Sequence, residues 1–278
     1  MSSQADRAKT FKALHDGPGL LLLTNPWDQG SAKLLASLGF EALATTSGGS
    51  AATLGRLDGS MALEEALASA AAIVEATDLP VSADLENGFA DDPAGVAETL
   101  RLALDAGLAG ASIEDYTRDG EALYDVGFAS ERIAAAAEAA HGGPAQLVLT
   151  ARAENHLYGV TDLADTIARL QAYQEAGADV LYAPGLTRLE DIRQVVASVD
   201  RPVNVLGRPG APSVSELAGA GVRRVSVGGA FAYAALGATV EAARELLDEG
   251  TYGYFARAGV GLQAARSAFA DEPGEPSA

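Results

Sequence analysis

The sequence predicts one (β/α)8 barrel of the TIM type. Eight short apolar segments recur along the 278-residue chain, and seven intervals between them carry apolar residues at helical spacing. Near-continuous apolar strands that alternate with helices are typical of a parallel sheet covered on its outer face. The length suits a barrel of about 250 residues. A doubly wound sheet would place a glycine-rich turn after the first strand, and residues 20–30 (LLLLTNPWDQG) lack one.

The predicted strands follow one another with room for a helix between them. They are residues 20–26, 42–48, 80–86, 110–116, 146–154, 179–185, 202–207 and 223–229. Pro93, which follows two aspartates, predicts the start of a helix, and Thr161 predicts an N-cap. Glycine predicts helix C-termini in residues 106–110, 176–179 and 219–222.

The chain continues past the eighth strand with two helical segments, of which a barrel needs one. The surplus segment carries five large side chains that we expect to be buried, namely Tyr252, Tyr254, Phe255, Leu262 and Phe269. Either its own barrel or a neighbouring subunit could cover them. We therefore expect one domain over residues 1–270, including this helical extension, and a disordered tail over residues 271–278.

Composition argues against several classes of protein. The 38 acidic and 19 basic residues give a net charge of -19, which would repel a nucleic acid backbone. No apolar run reaches 18 residues and the N-terminal residues lack a secretory hydrophobic region, so we expect a cytoplasmic protein without a membrane partner. The absence of cysteine excludes disulfides, thiolate metal sites and cysteine nucleophiles.

Acidic residues stand where strands of the predicted barrel end. In residues 81–93 (VSADLENGFADDP), an apolar run ends in Asp84 and Glu86, which point the same way because they are two residues apart. The next strand ends in Glu114 and Asp115. Barrel active sites lie at the C-terminal ends of strands. An unpaired buried carboxylate is costly, so cations should accompany these acids.

Two interpretations of the acids remain open. Carboxylate oxygens, without cysteine or a histidine cluster, predict a site for Mg²⁺ or Mn²⁺. Alternatively, the acids form ion pairs with Arg152, at the end of the fifth strand. Arg152 itself could bind a substrate carboxylate or neutralise Glu114 or Glu154.

The segment TTSGGSAATLGRLDG (residues 45–59) offers consecutive backbone N–H groups in a glycine-rich loop. Such a loop could hold a carboxylate or a developing oxyanion, or be an ordinary turn. Asn204, at the end of the seventh strand, points toward the same mouth.

Four motifs together resemble the isocitrate lyase and phosphoenolpyruvate mutase superfamily over about residues 11–230. They are TTSGGSAATLGRLD, SADLENGF, SIEDY and TARAE, in the family's order. The resemblance implies a Mg²⁺-bound barrel that forms a homodimer or homotetramer, usually with the terminal helix exchanged between subunits. It also implies a small 2-oxo or 2-hydroxy di- or tricarboxylic acid substrate that reacts through an enolate.

The resemblance also implies a metal-binding set. Asp84 would bind the metal directly, and Asp58, Glu86 and Glu114 would bind it through water. Glu86 stands where the family usually has aspartate, so a slightly different ligand geometry is expected.

The substrate would lie beside these acids. Ser47, Gly48 and Gly49 would hold its carboxylate and enolate oxygen, and Arg152 would hold a carboxylate and assist the chemistry. Asn204 completes the predicted substrate-binding residues.

The loop after the fourth strand departs from the family pattern. Residues 116–130 (YTRDGEALYDVGFAS) contain no cysteine, lysine or histidine, so the Lys-Lys-Cys-Gly-His motif of the lyases is absent. The gating-loop pattern of the mutases is absent too. The candidate catalytic residues are then Arg152, Glu114 and Tyr116, with Arg118, Asp119 and Tyr124 as further polar groups of the loop.

We expect a Mg²⁺-dependent carbon-carbon lyase or decarboxylase. A mutase-like or other enzyme acting on a phosphorylated substrate is an alternative, because Gly207, Gly228 and Gly229 follow strands 7 and 8, where barrels often bind phosphate. A further alternative is a barrel that binds a 2-oxo acid without catalysis.

Overall fold

A computed structural model describes residues 2–118 and 122–270. Its eight parallel strands are β1 Leu21–Leu23, β2 Leu43–Ala44, β3 Val81–Asp84, β4 Gly110–Glu114, β5 Val148–Arg152, β6 Val180–Tyr182, β7 Val203–Leu206 and β8 Arg224–Ser226. They form one sheet in the order β1-β8-β7-β6-β5-β4-β3-β2. A parallel bridge between Thr24 and Leu43 joins the two edges. The predicted TIM-type barrel is confirmed, and each strand is shorter than its apolar segment.

Helices alternate with the strands and cover the outside of the sheet. They are α1 Gln4–Asp16, α2 Gln29–Ser37, α3 Ser47–Thr53, α4 Leu63–Glu75, α5 Pro93–Asp105, α6 Val126–His141, α7 Leu163–Glu175, α8 Leu189–Ser198, α9 Val214–Gly219, α10 Ala230–Arg244 and α11 Phe255–Ala268, with a π-helical turn at Glu245–Glu249. None of the helices in the described ranges is long and apolar enough to cross a membrane.

Most helix ends follow the sequence signals. Pro93 begins α5, and the Asp92 carboxylate caps that helix by accepting a hydrogen bond from Gly95 N at 3.0 Å. Glycines with positive φ follow α5, α7 and α9, as predicted. The prediction for Thr161 is wrong. Asp162 caps α7 instead, because its carboxylate accepts from Ala164 N at 2.9 Å.

Residues 47–53 of the glycine-rich segment form helix α3, so the predicted loop is wrong over this part of the segment. Thr46 caps α3 by accepting from Gly49 N at 3.3 Å. A Cβ on Gly49 would lie 2.5 Å from Thr46 Cγ2, and one on Gly48 would lie 2.9 Å from the Tyr233 hydroxyl of α10. The glycines therefore allow α3 to pack closely against its neighbours.

Two apolar clusters fix the barrel. The larger lies between the strands and the outer helices, with Leu43, Leu100 and Leu149 fully buried. The smaller closes the N-terminal end of the barrel, where α1 places Phe11 against the starts of β1, β5 and β6. The opposite end of the barrel remains open, and the strand-end side chains gather there.

The C-terminal helices bury little of their apolar surface in a single chain. No residue of α11 is buried, and Phe255 is 65% exposed, Tyr252 64% and Leu262 54%. The helix packs near α2, where the Phe269 ring, just after α11, comes near Gly30. Within the described chain the barrel does not cover these side chains, which favours a neighbouring subunit as their partner.

Removing residues 251–278 should therefore reduce both the assembly size and the melting temperature. Burying one large apolar side chain contributes roughly 1.5 to 3 kcal/mol, so loss of several should be visible. Light scattering and thermal unfolding would measure the two effects. The matched control removes only residues 271–278 and should assemble like the full chain. A full-length monomer, or a truncated protein that assembles equally well, would contradict helix burial between subunits.

Candidate active site

Strands β3, β4 and β5 bring three carboxylates to one guanidinium at the open end of the barrel. Arg152 Nη1 lies 2.8 Å from Glu114 Oε1 and 3.2 Å from Asp84 Oδ1. Arg152 Nε lies 2.7 Å from Glu154 Oε1. The register explains this meeting, because Glu114 and Arg152 are directly paired on neighbouring strands. The ion pairs with Arg152, one of the two interpretations of the acids, are therefore present.

Burial makes this cluster electrostatically demanding. Desolvation raises the pKa of Glu114 well above its usual value, although Arg152 opposes the shift. Desolvation likewise raises the pKa of Glu154. Burial alone would lower the pKa of Arg152, but the carboxylates of Glu114, Glu154 and Asp84 raise it well above its usual value. Arg152 therefore stays charged, and the acids around it need more positive charge to ionise together.

A second guanidinium holds the turn after β3. Arg118 Nε lies 3.1 Å from Glu86 Oε2, and its Nη2 donates to the backbone oxygens of Gly59 and Met61. Its guanidinium also lies over the Phe89 ring, 4.5 Å from the centroid. Arg118 thereby ties the loop after β4 to the turns after α3 and β3.

That turn has an unusual backbone. Glu86 and Phe89 have φ values of 49° and 55°, in the left-handed region that favours glycine. Such a conformation costs of order 1 kcal/mol or more, and the contacts of Arg118 with both side chains help to hold it. The turn aims the Glu86 carboxylate at the mouth of the barrel.

Asp84 connects the cluster to the start of α3. Ser47 donates to Asp84 Oδ2 through its backbone N at 3.3 Å and through its hydroxyl at 2.9 Å. Gly48 and Gly49 lie behind Ser47 and are buried against neighbouring side chains. Ser47 is therefore the member of the predicted glycine-rich group that faces the mouth.

A cavity of about 330 Å³ occupies the mouth. The predicted site residues that line it are Ser47, Asp58, Glu86, Glu114, Tyr116 and Arg152. Asp84 and Arg152 line a smaller cavity of about 50 Å³ inside the barrel. Asn204, 1% exposed, lies in the barrel interior, where its amide donates to the Ser226 hydroxyl at 2.9 Å.

Two mouth residues were missed by reasoning from the sequence. Tyr158 stacks face to face on Tyr116 with 7° between the ring planes, and Leu157 lies beside it. Burial raises the pKa of Tyr158 to about 12, so its hydroxyl keeps its proton at neutral pH. Their position in the sequence could have indicated them, because both residues lie in the loop after β5 and such loops form the active sites of barrels.

Asp115 does not belong to the mouth, contrary to its grouping with the other strand-end acids. It accepts hydrogen bonds from Arg169 Nη1 at 2.9 Å, the Tyr173 hydroxyl at 2.5 Å and Glu154 N at 2.8 Å. Adjacent residues of a strand point to opposite faces, so Asp115 points outward when Glu114 points inward. It anchors α7 to the end of β4.

The carboxylates suit a divalent cation in chemistry but do not form a ready ligand cage. Within residues 2–118 and 122–270, no three histidine, aspartate or glutamate side chains are grouped so as to hold a metal ion. When all four are ionised, the carboxylates that contact Arg152 and Arg118 carry two more charges than these two guanidiniums. Hard oxygen donors with this excess charge fit Mg²⁺ or Mn²⁺.

The chain belongs to the phosphoenolpyruvate phosphomutase family, whose model matches residues 11–247. The crystal structure of a protein from Burkholderia cenocepacia, provisionally described as a lyase or mutase, is similar with a TM-score of 0.92 and 50% identity over 99% of both chains. The structure of 2,3-dimethylmalate lyase, a member of the PEP mutase/isocitrate lyase superfamily, has a TM-score of 0.81 and 28% identity over 91% of this chain and 90% of that one.

Curated proteins are also similar to this chain over most of its length. An uncharacterized protein of Mycobacterium tuberculosis is 32% identical over 86% of this chain and 89% of its own length. Oxaloacetate decarboxylase 2 of Pseudomonas fluorescens is 29% identical over 87% of this chain and 85% of its own length. The resemblance read from the four motifs is confirmed. The chain is an enzyme of a superfamily of carbon-carbon lyases and mutases.

Replacing Asp115 with alanine should destabilise the protein strongly. The change leaves Arg169 and the Tyr173 hydroxyl buried without their shared acceptor, and breaking a buried ion pair costs about 3 to 5 kcal/mol. Denaturant unfolding would measure the loss. Asp105→Ala, at an exposed position on α5, is the control and should change stability by no more than about 0.5 kcal/mol. Similar stability of both variants would show that Asp115 is not an anchor.

Proposed function

We propose that this enzyme is a Mg²⁺-dependent carbon-carbon lyase or decarboxylase. Its substrate is a small 2-oxo or 2-hydroxy di- or tricarboxylic acid, which reacts through an enolate. The observation that supports this most is the buried cluster of carboxylates around Arg152, open to a cavity large enough for such an acid. Mn²⁺ is an alternative metal, and a homodimer or homotetramer in the cytoplasm is the proposed setting.

The proposed metal-binding side chains are Asp84, Glu86, Asp58 and Glu114. Asp84 is the direct ligand, and the others act through water. When bound, a divalent cation would offset the excess carboxylate charge and stabilise the negative charge that develops on the substrate's 2-oxo oxygen. Glu86 is one methylene longer than aspartate, and its turn keeps the carboxylate within reach of the mouth.

Arg152 orients the substrate. Its guanidinium lines the mouth and has donors in a planar fork, which suits a carboxylate. The surrounding acids keep it protonated and fix its direction. Ser47 presents a hydroxyl beside it, and the first turn of α3, formed by Ser47, Gly48 and Gly49, is proposed to hold the substrate carboxylate and enolate oxygen. Asn204 is a further proposed substrate contact, from the interior of the barrel.

A tyrosine is the proposed source of the proton that quenches the enolate. Tyr116 lines the mouth on the loop after β4, at the strand end next to Glu114. Tyr158 stacks on it and narrows the same wall. Glu114, whose pKa burial raises, is placed to accept or return a proton near Arg152. Asp119, another polar residue of this loop, lies outside the described residues. Decarboxylation makes the smallest demand on these groups, because it leaves one carbon to be protonated.

Assaying the purified protein against a panel of 2-oxo and 2-hydroxy acids tests this proposal. With Mg²⁺ present, at least one member, oxaloacetate first, should be consumed with cleavage of a carbon-carbon bond. EDTA should abolish turnover and added Mg²⁺ or Mn²⁺ should restore it. Turnover of phosphorylated compounds alone would favour the mutase-like alternative. Tight binding of a 2-oxo acid by calorimetry, without product, would favour a barrel that binds without catalysis.

Asp84→Asn tests the metal role directly. The amide keeps the shape that accepts from Ser47 but removes one negative charge, so Mg²⁺ affinity measured by calorimetry should fall about 100-fold or more. Activity should fall with it, while the melting temperature stays within a few degrees. Asp105→Asn, on the exposed surface of α5, is the matched control. Unchanged Mg²⁺ affinity in Asp84→Asn would remove this residue from the metal role.

A further inference from the structure

The interior of this barrel is polar at mid-height. The cavity of about 50 Å³ lies between the smaller apolar cluster, which includes Phe11 of α1, and the mouth. Arg152 lines both this inner cavity and the cavity of the mouth. TIM barrels usually fill this level with bulky apolar side chains. Here the inward-facing residues include Ser82, Asn204, Arg224 and Ser226, all buried.

Arg224 is a buried charged group of this level. It begins β8 and is 4% exposed. Its Nε donates to Asn204 Oδ1 at 2.9 Å, and its Nη1 donates to Thr150 Oγ1 at 3.1 Å. The same Nη1 lies 3.4 Å from His15 Nε2. Its Nη2 makes no hydrogen bond to a described residue.

His15 contributes a neutral acceptor. Its Nδ1 lies 2.7 Å from the backbone oxygen of Phe11, so Nδ1 carries the hydrogen and Nε2 offers its lone pair to Arg224. Burial lowers the pKa of His15 to about 3, and the neighbouring Arg224 charge adds to the shift. At neutral pH the ring is therefore uncharged.

All the contacts of the Arg224 guanidinium are thus with neutral groups. No acid among residues 2–118 and 122–270 forms an ion pair with it, whereas Arg152 and Arg169 each contact carboxylates. Burial, with a smaller contribution from the Arg152 charge, lowers the pKa of Arg224 to about 10, yet it stays protonated at neutral pH. Asp84 lines the same cavity, but its carboxylate pairs with Ser47 and Arg152 and not with Arg224.

We propose that the inner cavity binds a small monovalent anion, which supplies the missing counter-charge of Arg224. A buried charge without a partner is costly, so an anion that reaches it is stabilised. About 50 Å³ exceeds the roughly 10 to 15 Å³ that one water requires, and it suits a halide ion or a formate-sized carboxylate. The Nη2 donor and the Ser226 and Tyr182 hydroxyl groups provide its polar surroundings. Asp84 and Arg152 line this cavity and also belong to the proposed active site, but the anion site does not require the function proposed above.

Thermal unfolding tests the site. The wild-type melting temperature would be measured in sodium bromide or sodium formate, with sodium gluconate holding the ionic strength constant. Gluconate is much larger than the cavity. The melting temperature should rise by about 3 °C for each tenfold increase in bromide or formate above its dissociation constant. A rise with bromide alone identifies a free halide site, and a rise with formate alone identifies a carboxylate site.

Three variants assign the response to Arg224. Asn204→Asp places a carboxylate where the amide oxygen accepts from Arg224 Nε, so it supplies an internal counter-ion and should abolish the anion response. Arg224→Met removes the charge and should abolish it too. Arg223→Met is the control, because Arg223 points outward to the backbone oxygens of Gly17 and Pro18, and it should respond like the wild type.

The Asn204→Asp comparison decides the question even if Arg224→Met fails to fold. An anomalous difference peak beside Arg224 Nη2, in crystals grown with bromide, would locate a halide directly. The proposal is overturned if neither anion raises the wild-type melting temperature. It is equally overturned if Asn204→Asp responds as strongly as the wild type.

Discussion

The buried charge of Arg152 is the constraint on which the mouth of this barrel depends. Three strands end where their carboxylates can reach its guanidinium, and Ser47 extends the contact to α3 through Asp84. None of these groups could be buried alone, because an isolated charge in the interior is very unfavourable. The fold therefore brings these groups together. Because three carboxylates meet one guanidinium, an excess of negative charge remains beside a cavity. Excess negative charge of this kind favours a cation, and a bound cation could in turn attract an anionic substrate.

The other buried guanidiniums show how much the partners matter. Arg169 fastens Asp115 and α7 to the outside of the sheet, and its acids make it purely structural. Arg224 lies inside the same barrel, and its partners in the part of the chain that the structure describes are neutral, so its charge is available to an anion. Arg118 is not buried like these two, because its side chain is partly exposed, and it joins separate loops around Glu86. The surroundings of each arginine thus set its role: Arg169 holds a helix to the sheet, Arg224 provides the proposed anion site, and Arg118 joins loops.

Loops and C-terminal helices form the surroundings of the Arg152 cluster at the mouth of the barrel. Tyr116 and Tyr158 come from the loops after β4 and β5 and form one wall of the mouth. Tyr233 of α10 reaches Gly48, so the helix after the last strand also packs against the start of α3. Apolar residues of α11 remain exposed in the single chain. Assembly of subunits through that surface would act on the mouth through α10 and α3, since these elements are in contact.

The sequence by itself determined the order of strands and helices, because burial on both faces of a parallel strand leaves a local apolar signature. It also located Asp84, Glu114 and Arg152, since residues at strand ends must meet at one end of a barrel. Tertiary structure alone decided that Asp115 turns outward, that Tyr158 stacks on Tyr116, and that Arg224 pairs with no acid among the described residues. These outcomes depend on strand register and on partners far away in the chain, such as His15 for Arg224, and local residue patterns carry no record of such distant contacts.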